Sequence, residues 1–292
     1  MGNFSSFLGE PEAIPKRVMP FFFLIDTSKS MEGKKIGAVN AAIEEILPDL
    51  RRLSDSQADS EIRLAILKFS SGCEWVTPSL ISLDSFDDWE PLVADGLTDL
   101  GYAFEELNHQ FSENGFLSRS SASSGFYAPV IMLLSDGDPT DDWYGALKKL
   151  QNNKWYQSAI KIAIAIGEDA NREVLQKFVR NPELLFSVND ISNLKKVVKF
   201  IAVTSSQIAS TSAAVGKENQ QQSASSDGIT PDIAEEQIVK NVRNSWDEFS
   251  DYEPEPVPIP SSVPPVPPPP PPVPPPPKEG DGDVELIDEE DW

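Results

Sequence analysis

Apolar residues along most of the chain follow two alternating patterns. Val18–Ile25 is a continuous apolar run interrupted only by Pro20, which is typical of a strand covered on both faces of a parallel sheet. From Lys34 onward apolar residues recur at helical spacing, which predicts an amphipathic helix packed on that sheet. The alternation continues with strands predicted over 62–69, 75–83, 130–134, 160–166 and 184–188, and helices over 100–111, 141–150, 170–179 and from 191 onward.

This order of elements predicts the fold class. Strands that alternate with helices favour an α/β fold with a doubly wound, mostly parallel six-stranded sheet and helices on both faces, similar to a Rossmann fold. Ligands of such sheets bind at the carboxyl ends of the central strands. The residues that follow Ile25 and Leu134 are therefore the first place to look for a functional site.

Charge and proline are concentrated in the last third of the chain. Of 24 basic and 47 acidic residues, 4 and 18 lie in residues 205–292, and 16 of the 26 prolines lie between Pro254 and Pro277. A segment with so little to bury does not offset the entropy of ordering, so we expect a disordered acidic tail. The predicted organisation is an N-terminal arm over 1–16, a folded domain over 17–216, an acidic linker with an aromatic cluster over 217–253, a polyproline spacer over 254–277 and an acidic peptide over 278–292.

Composition disfavours several partners and locations. A net charge of -23 and a pI near 4.3 argue against nucleic acid and anionic membrane surfaces, because both bind clustered Lys and Arg. No apolar run approaches the roughly 20 residues of a membrane span. The single cysteine, Cys73, excludes an intramolecular disulfide and favours a reducing, cytoplasmic location.

Oxygen-bearing side chains follow both central strands. Asp26, Ser28 and Ser30 alternate along the first loop, and Asp136 stands in the second, while a third segment over 95–100 opens a helix at the same predicted edge. Carboxylates and neutral hydroxyls are ligands that suit a hard divalent cation such as Mg²⁺, with Mn²⁺ or Ca²⁺ as alternatives. With few anionic ligands touching it, such an ion would stay electrophilic and would attract a carboxylate from a partner protein.

This arrangement resembles the metal-ion-dependent adhesion site (MIDAS) of von Willebrand factor type A (VWA) domains. That pattern is Asp-x-Ser-x-Ser, then a distant Thr and a distant Asp, and the matching positions are Asp26, Ser28, Ser30, Thr98 and Asp136. The resemblance implies that all five hold the ion and that residues 17–216 form a VWA domain.

A narrower resemblance is to the TerY-like branch of the family, which is associated with tellurium-resistance and stress loci. Leu134–Trp143 and the helix end Val203–Gln207 are similar to that branch. The resemblance implies a non-enzymatic adaptor whose partners are a Ser/Thr kinase and a metal-dependent phosphatase. One departure is Lys29, which stands where many relatives have glycine and is expected to put a cation near the metal.

Simpler interpretations of the same residues stay open. Ser28 or Ser30 could cap the helix that starts near Lys34, Asp141 could cap the next helix, and Asp136 begins a common turn dipeptide. Two other functions also stay open. One is a Mg²⁺-dependent hydrolase or phosphatase, and the other is a scaffold with a vestigial metal site that acts through its tail.

The tail carries two acidic clusters with apolar anchors. We expect them to dock on a basic groove of a further protein, because a purely solvating tail has few aromatic residues. A disordered, solubilising tail is the alternative. The candidate anchors are Trp246, Phe249, Tyr252, Leu286, Ile287 and Trp292.

Overall fold

The structure, a computed structural model, describes residues 16–86, 89–118, 120, 122, 124–188, 191–211 and 230–245. Its strands are β1 (Arg17–Asp26), β2 (Ser60–Ser70), β3 (Gly72–Trp75), β4 (Ile81–Ser82), β5 (Val130–Ser135), β6 (Ile160–Ile166) and β7 (Leu185–Val188). Its helices are α1 (Lys34–Ser56), α2 (Leu100–Gln110), α3 (Trp143–Gln151), α4 (Lys154–Ser158), α5 (Arg172–Phe178), α6 (Ile191–Thr211) and α7 (Pro231–Ser245).

The strands form one sheet with β1 and β5 at its centre. Their order is β3-β2-β1-β5-β6-β7, and β4 also pairs with β2. The neighbouring pairs β2-β1, β1-β5, β5-β6 and β6-β7 are parallel, whereas β3 and β4 run antiparallel to β2. The predicted α/β class is confirmed. The sheet has seven strands where the sequence predicts six, because the stretch over 75–83 is divided around Pro78, which has no N–H to donate to a ladder.

The continuous apolar run of β1 is explained by burial on both faces. Successive side chains of a strand point to opposite faces. The Phe22 ring meets Phe111, just after α2, with centroids 5.2 Å apart, while Phe21 and Phe23 lie together at 4.8 Å on the other face. All three phenylalanines are fully buried. Helices therefore cover both sides of the sheet, and the helices α1 and α6 pack against each other.

Helix α7 lies inside the range that the sequence analysis assigns to an acidic linker. Ala234, Ile238 and Val242 are buried at a spacing of four residues, and the helix packs on α6. On its other flank Glu235 lies 4.0 Å from the buried Lys161 of β6. The linker interpretation is therefore corrected for residues 231–245. The apolar stripe was readable in the sequence, but the acidic composition around it obscured the pattern.

The predicted N-terminal arm, through residue 15, lies outside the described residues. So do the predicted polyproline spacer, the acidic C-terminal peptide and the six tail anchors: Trp246, Phe249, Tyr252, Leu286, Ile287 and Trp292. Within the described ranges, no helix has the length and apolar character needed to cross a membrane.

Candidate metal centre

The site is built at the carboxyl edge of the two central strands. Strands β1 and β5 pair in parallel with Ile25 opposite Leu134, so that Asp26 and Ser135 come next to each other at the ends of the strands. Asp26 and Ser135 are both fully buried. Parallel pairing therefore brings together the loops that carry Asp26 and Asp136, as the sequence predicts.

Asp26 is held by hydrogen bonds to both of its carboxylate oxygens. The Ser28 backbone N–H donates to Oδ1 at 2.8 Å, and the Ser135 hydroxyl donates to Oδ2 at 2.6 Å. Burial raises the pKa of Asp26 above its ordinary value; these hydrogen bonds oppose the rise, and the negative charge of Asp136 adds to it. Asp26 is thus a positioned carboxylate close to a second one.

The hydroxyls of the first loop face each other. Ser28 Oγ lies 3.0 Å from Ser30 Oγ; Ser28 is buried, and Ser30 is exposed to solvent. A 3-10 turn over Lys29–Met31, anchored by the buried Met31, shapes this loop. Lys29, which the sequence predicts to put a cation near the metal, has its ammonium in a surface ion pair. Its side chain is 63% exposed and pairs with Glu32 at 2.7 Å.

Thr98 lies on a third loop that backbone hydrogen bonds join to the other two. The Lys29 N–H donates to the Gly96 carbonyl at 3.1 Å, and Thr98 exchanges hydrogen bonds with Thr140: its carbonyl accepts from the Thr140 N–H at 2.8 Å and its N–H donates to Oγ1 at 3.1 Å. Gly96 has φ +83°, and a Cβ there would meet Ser71 Oγ at 2.6 Å, so the turn requires glycine. Thr98 itself is buried.

Asp136 has one oxygen in an ion pair and one without a partner. Its Oδ2 accepts from Lys35 Nζ at 3.1 Å, while its buried Oδ1 has no hydrogen-bond partner among the described residues. Lys35 also donates to Asp169 at 2.9 Å. Burial opposes the charge of Lys35, but the hydrogen bonds to Asp169 and Asp136 outweigh it and hold the pKa of this lysine above its usual value.

The donor set fits a hard divalent cation. All the candidate ligands are carboxylate or hydroxyl oxygens, which Mg²⁺, Mn²⁺ and Ca²⁺ prefer, and the Asp136 Oδ1 is a buried oxygen that still lacks a partner. In the part of the chain that the structure describes, no three His, Cys, Asp or Glu residues form a group able to hold a metal. The two carboxylates would therefore need the hydroxyls of Ser28, Ser30 and Thr98.

A match to a family model identifies the family of this chain. The model described as the von Willebrand factor type A domain matches residues 21–200, which include all three loops of the site. This chain belongs to the VWA family. VWA domains typically mediate interactions between proteins and are not enzymes. The match is to the family as a whole, and the TerY-like branch stays a prediction.

Several solved structures are similar to this chain at low sequence identity. Proximal thread matrix protein 1 from the mussel byssus, with a zinc-occupied MIDAS motif, is 17% identical with a TM-score of 0.49, over 65% of this chain and 49% of that one. The von Willebrand factor type A protein from Catenulispora acidiphila is 18% identical with a TM-score of 0.46, over 65% and 42%. The pilus adhesin SpaC from Lactobacillus rhamnosus GG is 14% identical with a TM-score of 0.47, over 65% and 31%.

This chain thus aligns with less than half the length of each of these proteins. A comparison with curated proteins gives no match.

Four residues of this VWA domain have roles that the sequence did not predict. Ser135 holds the Asp26 carboxylate, and Lys35 holds Asp136. Asp141 caps α2 instead of α3, since its carboxylate accepts from the first-turn N–H groups of α2, and Asp142 caps α3. Ser135 directly precedes Asp136 in the sequence and could have been found there, whereas the contacts of Lys35 and Asp141 depend on tertiary placement.

Proposed function

We propose that this chain is a metal-dependent protein-binding module that holds a divalent cation and recognises a carboxylate of a partner protein. The observation that carries the proposal is the convergence of two buried carboxylates, Asp26 and Asp136, with the Ser28 and Ser30 hydroxyls at one edge of the sheet. Thr98 stands on a loop tied to the same edge. The unpartnered Oδ1 of Asp136 supports a ligand role for that residue.

The charged and the neutral candidate ligands have different roles in binding the ion. Asp26 is already committed to two hydrogen bonds, so it is suited to orient the loop and to contact the ion directly or through water. Ser28, Ser30 and Thr98 supply neutral oxygens, which leave much of the charge of a divalent ion uncompensated. A divalent ion held by these residues would favour an incoming carboxylate as a further ligand.

Apolar side chains near the site support a protein partner over a free carboxylate. Four of the five large apolar residues that are strongly exposed in the described residues lie on segments that flank the site: Val93, Leu97, Tyr102 and Tyr144. Leu97 is next to Thr98, Tyr102 is in the first turn of α2 and Tyr144 is in the first turn of α3. Exposed apolar residues grouped around polar ones are typical of protein interaction surfaces.

Catalysis receives less support than binding. A metal-dependent hydrolase needs a general base near the ion. His109, the chain's only histidine, is in the last turn of α2, and at 1.5 Å per residue it lies about 14 Å along the helix from Leu100, which adjoins the site. Phosphatase assays on generic phosphate esters test this alternative, and metal-dependent turnover abolished by Asp26→Ala would favour it over the binding module.

The biological setting is a further part of the proposal. We propose a cytoplasmic adaptor of the TerY-like branch, in a stress-response or phospho-signalling complex that contains a Ser/Thr kinase and a metal-dependent phosphatase. The resemblance of Leu134–Trp143 to that branch supports this assignment. The aromatic and acidic clusters of the tail would dock a further partner. Affinity capture with and without residues 246–292 tests the tail, and equal recovery of partners would count against it.

Isothermal titration of Mg²⁺ into the full chain tests the metal site. We expect binding by the wild type, loss of binding in Asp26→Ala and Asp136→Ala, and an affinity within about twofold of wild type in the matched control Asp138→Ala, which removes an exposed carboxylate from the same loop. Retained binding in both Asp26→Ala and Asp136→Ala would overturn the site.

Partner recognition is tested by affinity capture with and without a chelator. We expect the chelator to release the partner, and Leu97→Ser to lose the partner while still binding Mg²⁺. Capture that neither treatment changes would overturn recognition through the metal.

A further inference from the structure

Lys35 brings a positive charge into the proposed metal site. Its ammonium lies 3.1 Å from Asp136 Oδ2 and 2.9 Å from Asp169 Oδ1. The Lys35 and Asp136 side chains are only 14% and 4% exposed, whereas Asp169 is 74% exposed. One lysine therefore links a buried candidate ligand to a carboxylate at the surface.

The charges explain why a cation is needed there. Asp26 and Asp136 are two neighbouring buried carboxylates, and the negative charge of Asp136 disfavours the ionised form of Asp26. Asp26 is stabilised by hydrogen bonds from the uncharged donors Ser28 and Ser135. Among the described residues, Lys35 is the cation that forms an ion pair with Asp136. We infer that Lys35 is the built-in counter-ion of the site: it holds Asp136 when no ion is bound and thereby sets how tightly a divalent ion binds.

This inference rests on the proposed metal site. It also requires a second hydrogen-bond acceptor for the lysine ammonium when the ion binds Asp136. Asp169 is that second acceptor, at 2.9 Å from the same ammonium. The loop after β6 is shaped closely against the lysine stem, because a Cβ at Gly167 would lie 2.8 Å from Lys35 Cε. The ammonium can therefore release Asp136 and keep its ion pair with Asp169.

Removing this charge has two effects of opposite sign. Lys35→Met keeps most of the apolar stem but leaves Asp136 buried without a counter-ion, so the metal-free chain becomes less stable. The same change removes the repulsion between the ammonium and a divalent ion, so the ion binds more tightly. A lysine with a purely structural role would lower stability and leave the affinity of the ion unchanged.

The experiment titrates Mn²⁺ into the full chain by calorimetry and measures thermal unfolding in chelator. For Lys35→Met we expect an affinity about tenfold tighter than wild type and a melting temperature about 4 °C lower without metal. The matched control is Lys34→Met, which removes a neighbouring exposed lysine, and we expect less than a twofold change in affinity.

A second variant, Asp169→Asn, keeps the inference testable if Lys35→Met does not fold. It removes only the negative charge of the outer acceptor, so the ammonium is held more strongly by Asp136 and the ion binds about threefold more weakly. In the Lys35→Met background the same change should have less than a twofold effect.

The outcomes separate the inference from the function on which it rests. A wild-type chain that binds no Mn²⁺ overturns the proposed metal site and this inference with it. A wild type that binds, with Lys35→Met binding no more tightly, overturns the counter-ion role alone. So does an Asp169→Asn variant that binds the ion as tightly as wild type.

Discussion

Replacing Ser135 by alanine removes the hydroxyl that joins the ends of the two central strands. In the folded chain this hydroxyl donates to Asp26 Oδ2 at 2.6 Å and accepts from the Gly137 N–H at 2.7 Å. Both Ser135 and Asp26 are fully buried, so water does not replace the lost donor. The variant therefore leaves a buried carboxylate with one hydrogen bond fewer.

The expected loss of stability follows from these contacts. A hydrogen bond to a charged group contributes about 1.5–3 kcal/mol, and the Gly137 N–H loses its acceptor as well. We expect Ser135→Ala to lower the free energy of unfolding by about 2–4 kcal/mol at neutral pH without metal. The difference from wild type should narrow on acidification, because the Ser135 hydrogen bond lowers the pKa of Asp26 and so favours its charged form.

Urea unfolding of the full chain in chelator measures this loss, and Ser187→Ala is the matched control. Ser187 is a buried serine of β7 whose Oγ has no hydrogen-bond partner among the residues that the structure describes. Its replacement should change the free energy of unfolding by less than about 1 kcal/mol. Equal losses in Ser135→Ala and Ser187→Ala would refute the assignment of Ser135 as the residue that holds Asp26.

Three further predictions concern other groups. Burial raises the pKa of Asp26 above the ordinary 3.8, and protons compete with the metal for this carboxylate. The affinity for a divalent ion should therefore begin to fall on acidification at a higher pH than an ordinary aspartate would cause. The free energy of unfolding of the metal-free chain should rise from the same protonation as pH falls through the raised pKa. Calorimetric titrations in which the affinity for the ion stays constant down to pH 4 would contradict the raised pKa. In β6 and α7, burial lowers the pKa of Lys161 below its usual value, which indicates that its pairing with Glu235 does not offset desolvation. Glu235→Leu alone should lower the free energy of unfolding by about 2–4 kcal/mol in urea, while the double variant with Lys161→Met should be as stable as wild type or more stable by about 1–4 kcal/mol; additive losses would be evidence against coupling. Burial, with the nearby acidic side chains, raises the pKa of the Cys73 thiol to about 12. A thiol reagent at pH 8 should therefore label Cys73 at least about tenfold more slowly in the folded chain than in the unfolded chain. Equal labelling rates would contradict the raised pKa.

The parts of the fold that were predictable are those that burial alone dictates. The apolar run of β1 requires cover on both faces, and the helical spacing in α1 requires one buried face; the structure has both features. The ends of parallel strands share an edge, so the loops after Ile25 and Leu134 could be brought together from the sequence. The five metal ligands themselves stay a prediction.

The parts that were missed depend on contacts between distant segments. Lys35 is one of two adjacent lysines, and its contacts with Asp136 after β5 and Asp169 after β6 distinguish it from Lys34. Lys29 was expected near the metal because it replaces the glycine of many relatives in the first loop, but its neighbour Glu32 offers it a partner at the surface. Helix α7 is stabilised by packing on α6, and the acidic composition of the surrounding segment obscured the apolar stripe that makes this contact.

The most direct test of the metal site is a crystal structure of the full chain grown with Mn²⁺, with anomalous diffraction collected to locate the ion. We predict an anomalous peak between the loops after β1 and β5, about 2.1–2.2 Å from the hydroxyls of Ser28 and Ser30, with Thr98 and Asp136 oriented toward it. A structure with Mn²⁺ at millimolar concentration and no peak among these residues, or with the ion bound elsewhere while Lys35 still holds Asp136, would contradict the account.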